Sequence, residues 1–214
     1  MTCCSHCADA ETLFSRRAAR RDLRRYRRRG PNPSTRRLLE LIRREEFQPG
    51  LMLDIGGGVG AIQHELLRDG MQKAIQVDAS IPYLQASREE AARQGHDDRI
   101  EYHHGDIVDI SGELPLADVV ILDRVVCCYP DMPRLVESSA SRARHLYALT
   151  YPRARLATRA FMAAGNLYLR LRRSAFRTYV HSPAAIRSEI ESQGLRRVGE
   201  GRTLIWQVEL YRRD

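Results

Sequence analysis

Apolar and polar residues follow two different periods along this chain, and the two periods alternate from residue 51 onward. Short apolar runs are typical of strands buried on both faces, whereas apolar residues three and four positions apart indicate helices. The pattern predicts strands over 51–55, 73–77, 100–103, 117–122 and 146–149, and helices over 61–68, 81–94 and 132–144. This alternation favours a doubly wound parallel sheet.

The two ends of the chain depart from that alternation. Before residue 51 the pattern predicts a basic helix over 9–29 and a second helix that begins at Ser34 and ends at Pro49-Gly50. After residue 150 it predicts helices over 156–173 and 182–194, then strands over 195–198 and 203–211 joined by a turn at 199–201. We expect one structural unit, with a helical cap over 1–48 and a main domain over 49–214 that contains a helical insertion at about 154–190.

Composition bounds the class of protein. A length of 214 residues, 43% of them hydrophobic, fits one globular domain with a full core. No apolar run approaches the roughly 20 residues that a membrane helix needs, and the N-terminus lacks an apolar signal segment. We therefore expect a cytoplasmic protein without a transmembrane segment.

The charge is strongly basic and unevenly placed. The formal net charge is +8, and the arginines concentrate in residues 16–44 and 153–177. Such surfaces attract nucleic acid, anionic lipid or acidic metabolites, although a solvated helix face has the same composition. The charge alone selects no partner.

Residues 51–60, which read LMLDIGGGVG, carry the most information about function. A short strand ends in a turn with glycines at alternate positions, and a helix follows, which is the layout of a nucleotide-cofactor site. Two classes of cofactor remain open. The spacing Gly56-x-Gly58-x-x-Ala61, with Asp78 about 20 residues on, also satisfies the dinucleotide pattern.

The acid at Asp54 shifts the balance between these cofactors. Asp54-x-Gly56-x-Gly58-x-Gly60 resembles the signature of class I S-adenosylmethionine (SAM)-dependent methyltransferases, and the resemblance extends over about 51–149. It implies SAM as the cofactor, S-adenosyl-L-homocysteine as its product, and a Rossmann-like α/β fold. That fold is a doubly wound seven-stranded sheet, mostly parallel with an antiparallel last strand, here preceded by N-terminal helices.

The resemblance also implies roles for single residues. Asp54 would hold the amino-acid end of the cofactor, Asp78 would accept hydrogen bonds from the ribose hydroxyls, and Asp106 would lie near the adenine amino group. Asp123 and Arg124 would lie next to the transferred methyl. The full set predicted to contact the cofactor is Asp54, Gly56, Gly58, Gly60, Asp78, Ala79, Asp106, Ile107, Asp123, Arg124 and Tyr26.

Absent motifs narrow the acceptor. No Asn-Pro-Pro-Tyr follows the fourth strand, and a single lysine excludes the Lys-Asp-Lys-Glu set of ribose methyltransferases. Residues 26–30 look like the leading helices of small-molecule O-methyltransferases. Among these enzymes, the chain most resembles the magnesium-protoporphyrin O-methyltransferase-like group. We predict O-methylation of a small molecule, and the candidate acceptor-facing residues are Asp123, Tyr129, His104 and Tyr151.

Other functions stay open at this point. An RNA methyltransferase would use the basic N-terminus, a nucleotide-binding oxidoreductase would use the same glycine turn for NAD or NADP, and a non-catalytic SAM-binding protein needs no acceptor at all. The predicted helix over 156–173 suits an acidic and apolar acceptor or a membrane surface, or it is a core helix with a solvated basic face. The oligomeric state and the need for a general base are undetermined.

The cysteines suggest a second, weaker hypothesis. Their odd number argues against a disulfide framework. If the N-terminus folds over the site, Cys4 and Cys7 would meet Cys127 and Cys128 around a soft metal or metalloid. The alternative is an N-terminal tail without a ligand, together with small buried side chains at 127 and 128.

Overall fold

The computed structural model describes residues 14–214, which form one seven-stranded sheet with helices on both faces. The strands are β1 Leu51–Ile55, β2 Lys73–Asp78, β3 Ile100–His104, β4 Ala117–Asp123, β5 Ala143–Pro152, β6 Leu195–Arg202 and β7 Trp206–Arg213. The α-helices are α1 Arg16–Arg29, α2 Pro33–Ile42, α3 Ala61–Arg68, α4 Ile81–Gln94, α5 Ile107–Ile110, α6 Met132–Ala140, α7 Leu156–Leu171 and α8 Pro183–Ser192.

The order of the strands confirms the predicted fold class. They lie in the order β3-β2-β1-β4-β5-β7-β6, and only β7 runs antiparallel to its neighbours. The central strand β4 is buried from Ala117 to Leu122, which agrees with its unbroken apolar sequence. The chain crosses from one half of the sheet to the other between β3 and β4, and the carboxyl ends of β1 and β4 meet at this switch point. Ligands of doubly wound sheets bind at that position.

Two predicted boundaries at the C-terminal end were wrong. The fifth strand is longer than 146–149, because β4 and β7 supply hydrogen-bonding partners on both sides from Leu146 onward. The glycines at 199 and 201 lie inside β6 and not in a turn; the chain turns at residues 203–205. A Cβ on Gly201 would lie 2.8 Å from Arg37 Cγ, so these glycines let α2 pack closely on the strand.

The second helix also differs from its prediction at both ends. It begins at Pro33, with Asn32 as the N-cap, and Ser34 lies within its first turn. It ends at Ile42, well before Pro49-Gly50. Its apolar side chains pack against β5 and β7, so α2 belongs to the hydrophobic cluster on one face of the sheet.

The first helix is held over α4 by a buried acid. Glu90 of α4 has no exposed side-chain area and accepts hydrogen bonds from Arg27 Nε (2.7 Å), Arg93 and Gln94. Burial opposes the ionisation of Glu90, but these three donors outweigh it and lower its pKa to about 2. Leu23 and Tyr26 of α1 are buried on the same side of the helix. This contact keeps α1 over the carboxyl end of the sheet.

We expect Arg27→Ala to destabilise the protein by about 1 kcal/mol, since Glu90 keeps Arg93 but loses one of its two charged partners. The same change at Arg28, which is exposed on the same helix and has no ion pair within residues 14–214, should have almost no effect. Urea unfolding of both variants measures the difference. Equal losses of stability would show that the pair with Glu90 does not hold α1.

Candidate functional site

A pocket of about 280 Å³ opens at the carboxyl ends of β1 and β4, beneath α1. The glycine turn forms its floor, and α1 with the segment after it forms its roof. It brings together many of the residues singled out in the sequence. The lining includes Arg21, Asp22, Arg25, Tyr26, Asn32, Asp54, Gly56, Gly57, Gly58, Tyr83, Asp123 and Arg124.

The glycine turn requires its glycines for two reasons. Gly56, Gly58 and Gly60 have φ angles of +61°, +59° and +76°, a region that other residues rarely adopt. A Cβ on Gly56 would also lie 2.6 Å from Val125 Cγ2, a residue of the loop after β4. The turn is therefore bare backbone that faces the pocket, and a ligand can lie directly against it.

Asp54 is the most unusual group in the pocket. Its side chain is 1% exposed, and neither carboxylate oxygen has a hydrogen-bond partner within residues 14–214. Burial raises its pKa well above the ordinary value, and the nearby carboxyls of Asp123 and Asp78 raise it further. A buried carboxylate without a partner is costly in the free protein and fits a cationic ligand group.

Gly57, which the sequence did not single out, makes room for this carboxylate. A Cβ at position 57 would lie 2.5 Å from Asp54 Oδ2. The middle glycine of the run is thus required by Asp54 and not by its own backbone angle. Only the spatial contact reveals this, since position 57 falls between the signature glycines.

Asp78, at the end of β2, faces the turn from the other side. Its Oδ2 accepts a hydrogen bond from the Gly58 amide (3.1 Å) and its Oδ1 accepts one from the Ser80 amide (2.8 Å). Burial raises its pKa to about 6, against the opposing effect of these two amides. Ala79 follows it, and its carbonyl accepts a hydrogen bond from His104.

Buried amides support the turn from beneath. Gln76 donates to the Gly58 carbonyl (2.9 Å) and accepts hydrogen bonds from Gln63 and Ser87. All three side chains have no exposed area. The sequence predictions missed this network, since glutamines within a predicted strand and helix have no motif. It fixes the height of the turn relative to the sheet.

Asp123, at the end of β4, is held on both sides by hydroxyl groups. Thr35 of α2 and Thr150 of β5 each donate to it at 2.5 Å. Arg124 has a φ of +64°, and its amide donates to Thr150 Oγ1 (2.8 Å). This strained residue turns the chain sharply after β4 and places its side chain in the pocket wall.

Asp106 lies after β3, and both of its carboxylate oxygens accept hydrogen bonds from residues of the described range 14–214. Its Oδ1 caps α5 by accepting from the Val108 amide (3.0 Å), and its Oδ2 accepts from the Tyr129 hydroxyl (2.9 Å). Ile107, the next residue, is buried. The structure thus joins two residues that were predicted to have separate roles, a cofactor acid and an acceptor-facing tyrosine.

Of the remaining predicted residues, some line the pocket and others do not. Tyr26 lines the pocket, and its hydroxyl pairs with Glu65 and Arg68. His104 is exposed, and its ring Nε2 donates a hydrogen bond to the Ala79 carbonyl (3.2 Å). Tyr151, which was predicted to face an acceptor, is 1% exposed, does not line the pocket and belongs to the hydrophobic cluster on the face of the sheet opposite α2.

The cysteine hypothesis gains no support from the part of the chain that the structure describes. Cys127 and Cys128 have their sulfurs 3.7 Å apart beside the Arg124 carbonyl, and no cluster of three or more metal-binding side chains occurs within residues 14–214. Cys4 and Cys7 lie outside the described residues. Cys127 is buried, as expected of a small apolar side chain.

Comparison with known proteins agrees with this geometry. Residues 52–146 match the family model described as a methyltransferase domain. No curated protein sequence matches the chain. The magnesium protoporphyrin IX methyltransferase from Synechocystis PCC 6803, solved with bound SAH, has a TM-score of 0.69 and 19% identity, with 85% of this chain and 82% of that one covered.

Two further solved structures share the fold. An O-methyltransferase family protein from Burkholderia thailandensis has a TM-score of 0.69 and 16% identity, with 84% of this chain and 56% of that one covered. An O-methyltransferase family 2 protein from Planctomyces limnophilus DSM 3776, in complex with apigenin, has a TM-score of 0.63 and 22% identity, with 85% and 62% covered.

We expect Asp54→Asn to raise the Tm of the ligand-free protein at pH 8 by about 2–4 °C, the shift that ~1 kcal/mol produces at this chain length. The raised pKa of Asp54 means that the wild-type fold loses stability as pH rises from about 4 toward that pKa, whereas an amide does not titrate. The gain should therefore be smaller at pH 5 than at pH 8, as measured by differential scanning fluorimetry.

The exposed Asp98→Asn is the matched control, and its Tm should stay within about 1 °C of wild type at both pH values. If Asp54→Asn lowered the Tm at pH 8, the carboxylate would have a partner in the free protein, and the assignment of Asp54 as an unpaired charge would be lost.

Proposed function

We propose that this chain, a SAM-dependent methyltransferase with its methyltransferase domain at residues 52–146, transfers the methyl group to an oxygen atom of a small molecule. The observation that carries the proposal is the unpaired carboxylate of Asp54 in a pocket that also contains arginines.

The charges in the pocket suit the amino-acid end of SAM. That end has an ammonium and a carboxylate on one carbon. Asp54 offers the ammonium a buried anionic partner, and Arg21, Arg25 and Arg124 line the same pocket as partners for the carboxylate. A pyrophosphate would instead meet the Asp54 carboxylate, which argues against a dinucleotide.

The nucleoside end fits the acids that follow β2 and β3. Each oxygen of Asp78 accepts one backbone hydrogen bond and has a lone pair left for a ribose hydroxyl. We assign Asp106 and the Ile107 amide to the adenine edge, with Tyr129 holding the Asp106 carboxylate. In this arrangement a residue of the loop after β4 stabilises the adenine contact.

The chemistry needs little beyond positioning. When bound, SAM would supply an activated methyl group: an acceptor oxygen would bond to the methyl carbon in line with the carbon–sulfur bond, which breaks so that the sulfur leaves as the thioether of SAH, and a hydroxyl acceptor would release its proton to solvent. Holding the two atoms in that geometry accounts for much of the acceleration in such reactions. We assign Asp123 to orient the acceptor hydroxyl, because Thr35 and Thr150 fix its carboxylate at the pocket wall.

The solved relatives support a proposal for the class of acceptor. The structural neighbours include a magnesium protoporphyrin IX methyltransferase and an O-methyltransferase family protein in complex with apigenin. Both names point to aromatic small molecules. For the present chain we therefore propose an aromatic acceptor that has a hydroxyl or a carboxyl group.

We expect SAH to bind the wild-type protein and Asp54→Ala to weaken that binding by about 10- to 100-fold, since the ammonium loses a buried charged partner. Arg25→Ala should weaken it less, because Arg25 is more exposed. Arg24, the neighbouring arginine outside the pocket, gives the control Arg24→Ala with unchanged affinity. Titration calorimetry measures the affinity of each variant for SAH and for NAD. Binding of NAD alone would overturn the cofactor assignment.

We expect turnover of SAM to SAH with hydroxylated or carboxylated aromatic acceptors and not with amines of the same ring system. Mass spectrometry of the product locates the methyl group, and Asp54→Ala controls for contaminating activity. Turnover only with the amine of a matched pair would contradict O-methylation while leaving the cofactor assignment intact.

A further inference from the structure

The outer face of α7 consists of apolar side chains in contact with solvent. Within this 16-residue helix only Thr158 and Leu169 are buried. Five large apolar side chains elsewhere on the helix are 58–85% exposed, and they are Leu156, Phe161, Leu167, Tyr168 and Leu171. The expectation of a core helix with a solvated basic face was therefore wrong, because the solvated face of α7 is its apolar face.

Helical geometry makes these residues one continuous surface. At 100° per residue, Leu156, Leu167 and Leu171 fall within about 60° of each other, and Ala160, Ala163 and Ala164 lie between or beside them. Phe161 and Tyr168 extend this surface on one side. A contiguous apolar face of this kind on a folded protein marks an interaction site.

The charged residues in this stretch of the sequence have one sign. Residues 138–188 contain no aspartate or glutamate. Arg159 and Arg170 flank the apolar face on the side away from Phe161, and further arginines precede and follow the helix at 153, 155, 172, 173 and 177. An apolar face with arginines along its border suits a partner that is both apolar and anionic.

A second basic surface lies next to the end of α7. One side of α1 carries Arg16, Arg17, Arg20, Arg21, Arg24, Arg25, Arg28 and Arg29, and within residues 14–214 only Arg21 of these has an ion pair. The two helices meet where Phe14, just before α1, contacts Phe176, just after α7, with ring centroids 5.7 Å apart. Two basic segments therefore adjoin at one edge of the molecule.

We propose that α7 docks on the surface of an anionic lipid bilayer, with its apolar face in the acyl boundary and its arginines on lipid phosphates. None of the helices within residues 14–214 is long and apolar enough to cross a membrane. A second copy of the chain is a poorer occupant. Pairing α7 with itself would bring the same arginines together with no acid from 138–188 to neutralise them.

Hydrogen bonds link this surface to the proposed active site. The side chain of Asn166, on α7, makes three hydrogen bonds to Thr178, which anchors the returning segment. That segment then bonds the loop after β4, through the Tyr179 amide to the Cys127 carbonyl (2.7 Å) and His181 to the Tyr129 carbonyl (2.9 Å). A bilayer under α7 would thus lie beside the wall that holds Tyr129.

Vesicle flotation tests the proposal without SAM or an acceptor, so its outcome is independent of the proposed function. We expect wild-type protein to float with vesicles of phosphatidylcholine that contain about one third phosphatidylglycerol, and to stay behind with pure phosphatidylcholine. Phe161→Gln, Leu167→Gln and Leu171→Gln together should reduce partitioning at least about tenfold, because the apolar contact is removed. Leu204→Gln, at a side chain 80% exposed in the turn before β7, is the matched control and should float like wild type.

A charge variant tests the contribution of the arginines independently of the triple variant. Arg159→Gln with Arg170→Gln should lower partitioning into the anionic vesicles, and rising salt should have the same effect on wild type. Absence of flotation by wild type would overturn the proposal, as would a triple variant that floats unchanged. It would also be overturned if wild type were a dimer by light scattering and the triple variant a monomer, or if wild type bound an RNA oligonucleotide and no vesicle.

Discussion

The cost of burying the Asp54 carboxylate is the constraint on which the site depends. The carboxylate lies at the end of a central strand, between the sheet and a turn of bare backbone, and no group within residues 14–214 neutralises it. Gly57 must lack a Cβ to leave it space, and the acids Asp78 and Asp123 raise its pKa further. A protein keeps such a destabilising group where function requires a charge.

Rigid polar contacts surround this charge and set the geometry of the pocket. Gln76 holds the turn from below, whereas Thr35 and Thr150 hold Asp123 from two different elements. Arg27 and Glu90 keep the first helix in place as the roof. Each of these contacts joins segments that are distant in sequence, so the site forms only when α1, α2 and the sheet have assembled.

The sequence was most informative where local pattern and tertiary context agree. The strand at 51–55 and the helices at 61–68 and 81–94 have the predicted bounds, because their caps and apolar spacing are local signals. The prediction failed at 199–201, where two glycines that looked like a turn serve the packing of α2 on β6. Tyr151 lies in the part of β5 beyond the predicted 146–149, where β7 pairs with the strand, and its side chain packs in a hydrophobic cluster.

By itself the sequence determined the class of the fold and the position of the cofactor turn, since alternating periodicities and a glycine run after a strand are properties of adjacent residues. Only the tertiary structure decided that Asp54 has no partner, that Gly57 makes room for it, and that Tyr129 holds Asp106. It also decided which face of α7 meets solvent. Periodicity shows that a helix has an apolar face, but what covers that face depends on elements far away in the chain.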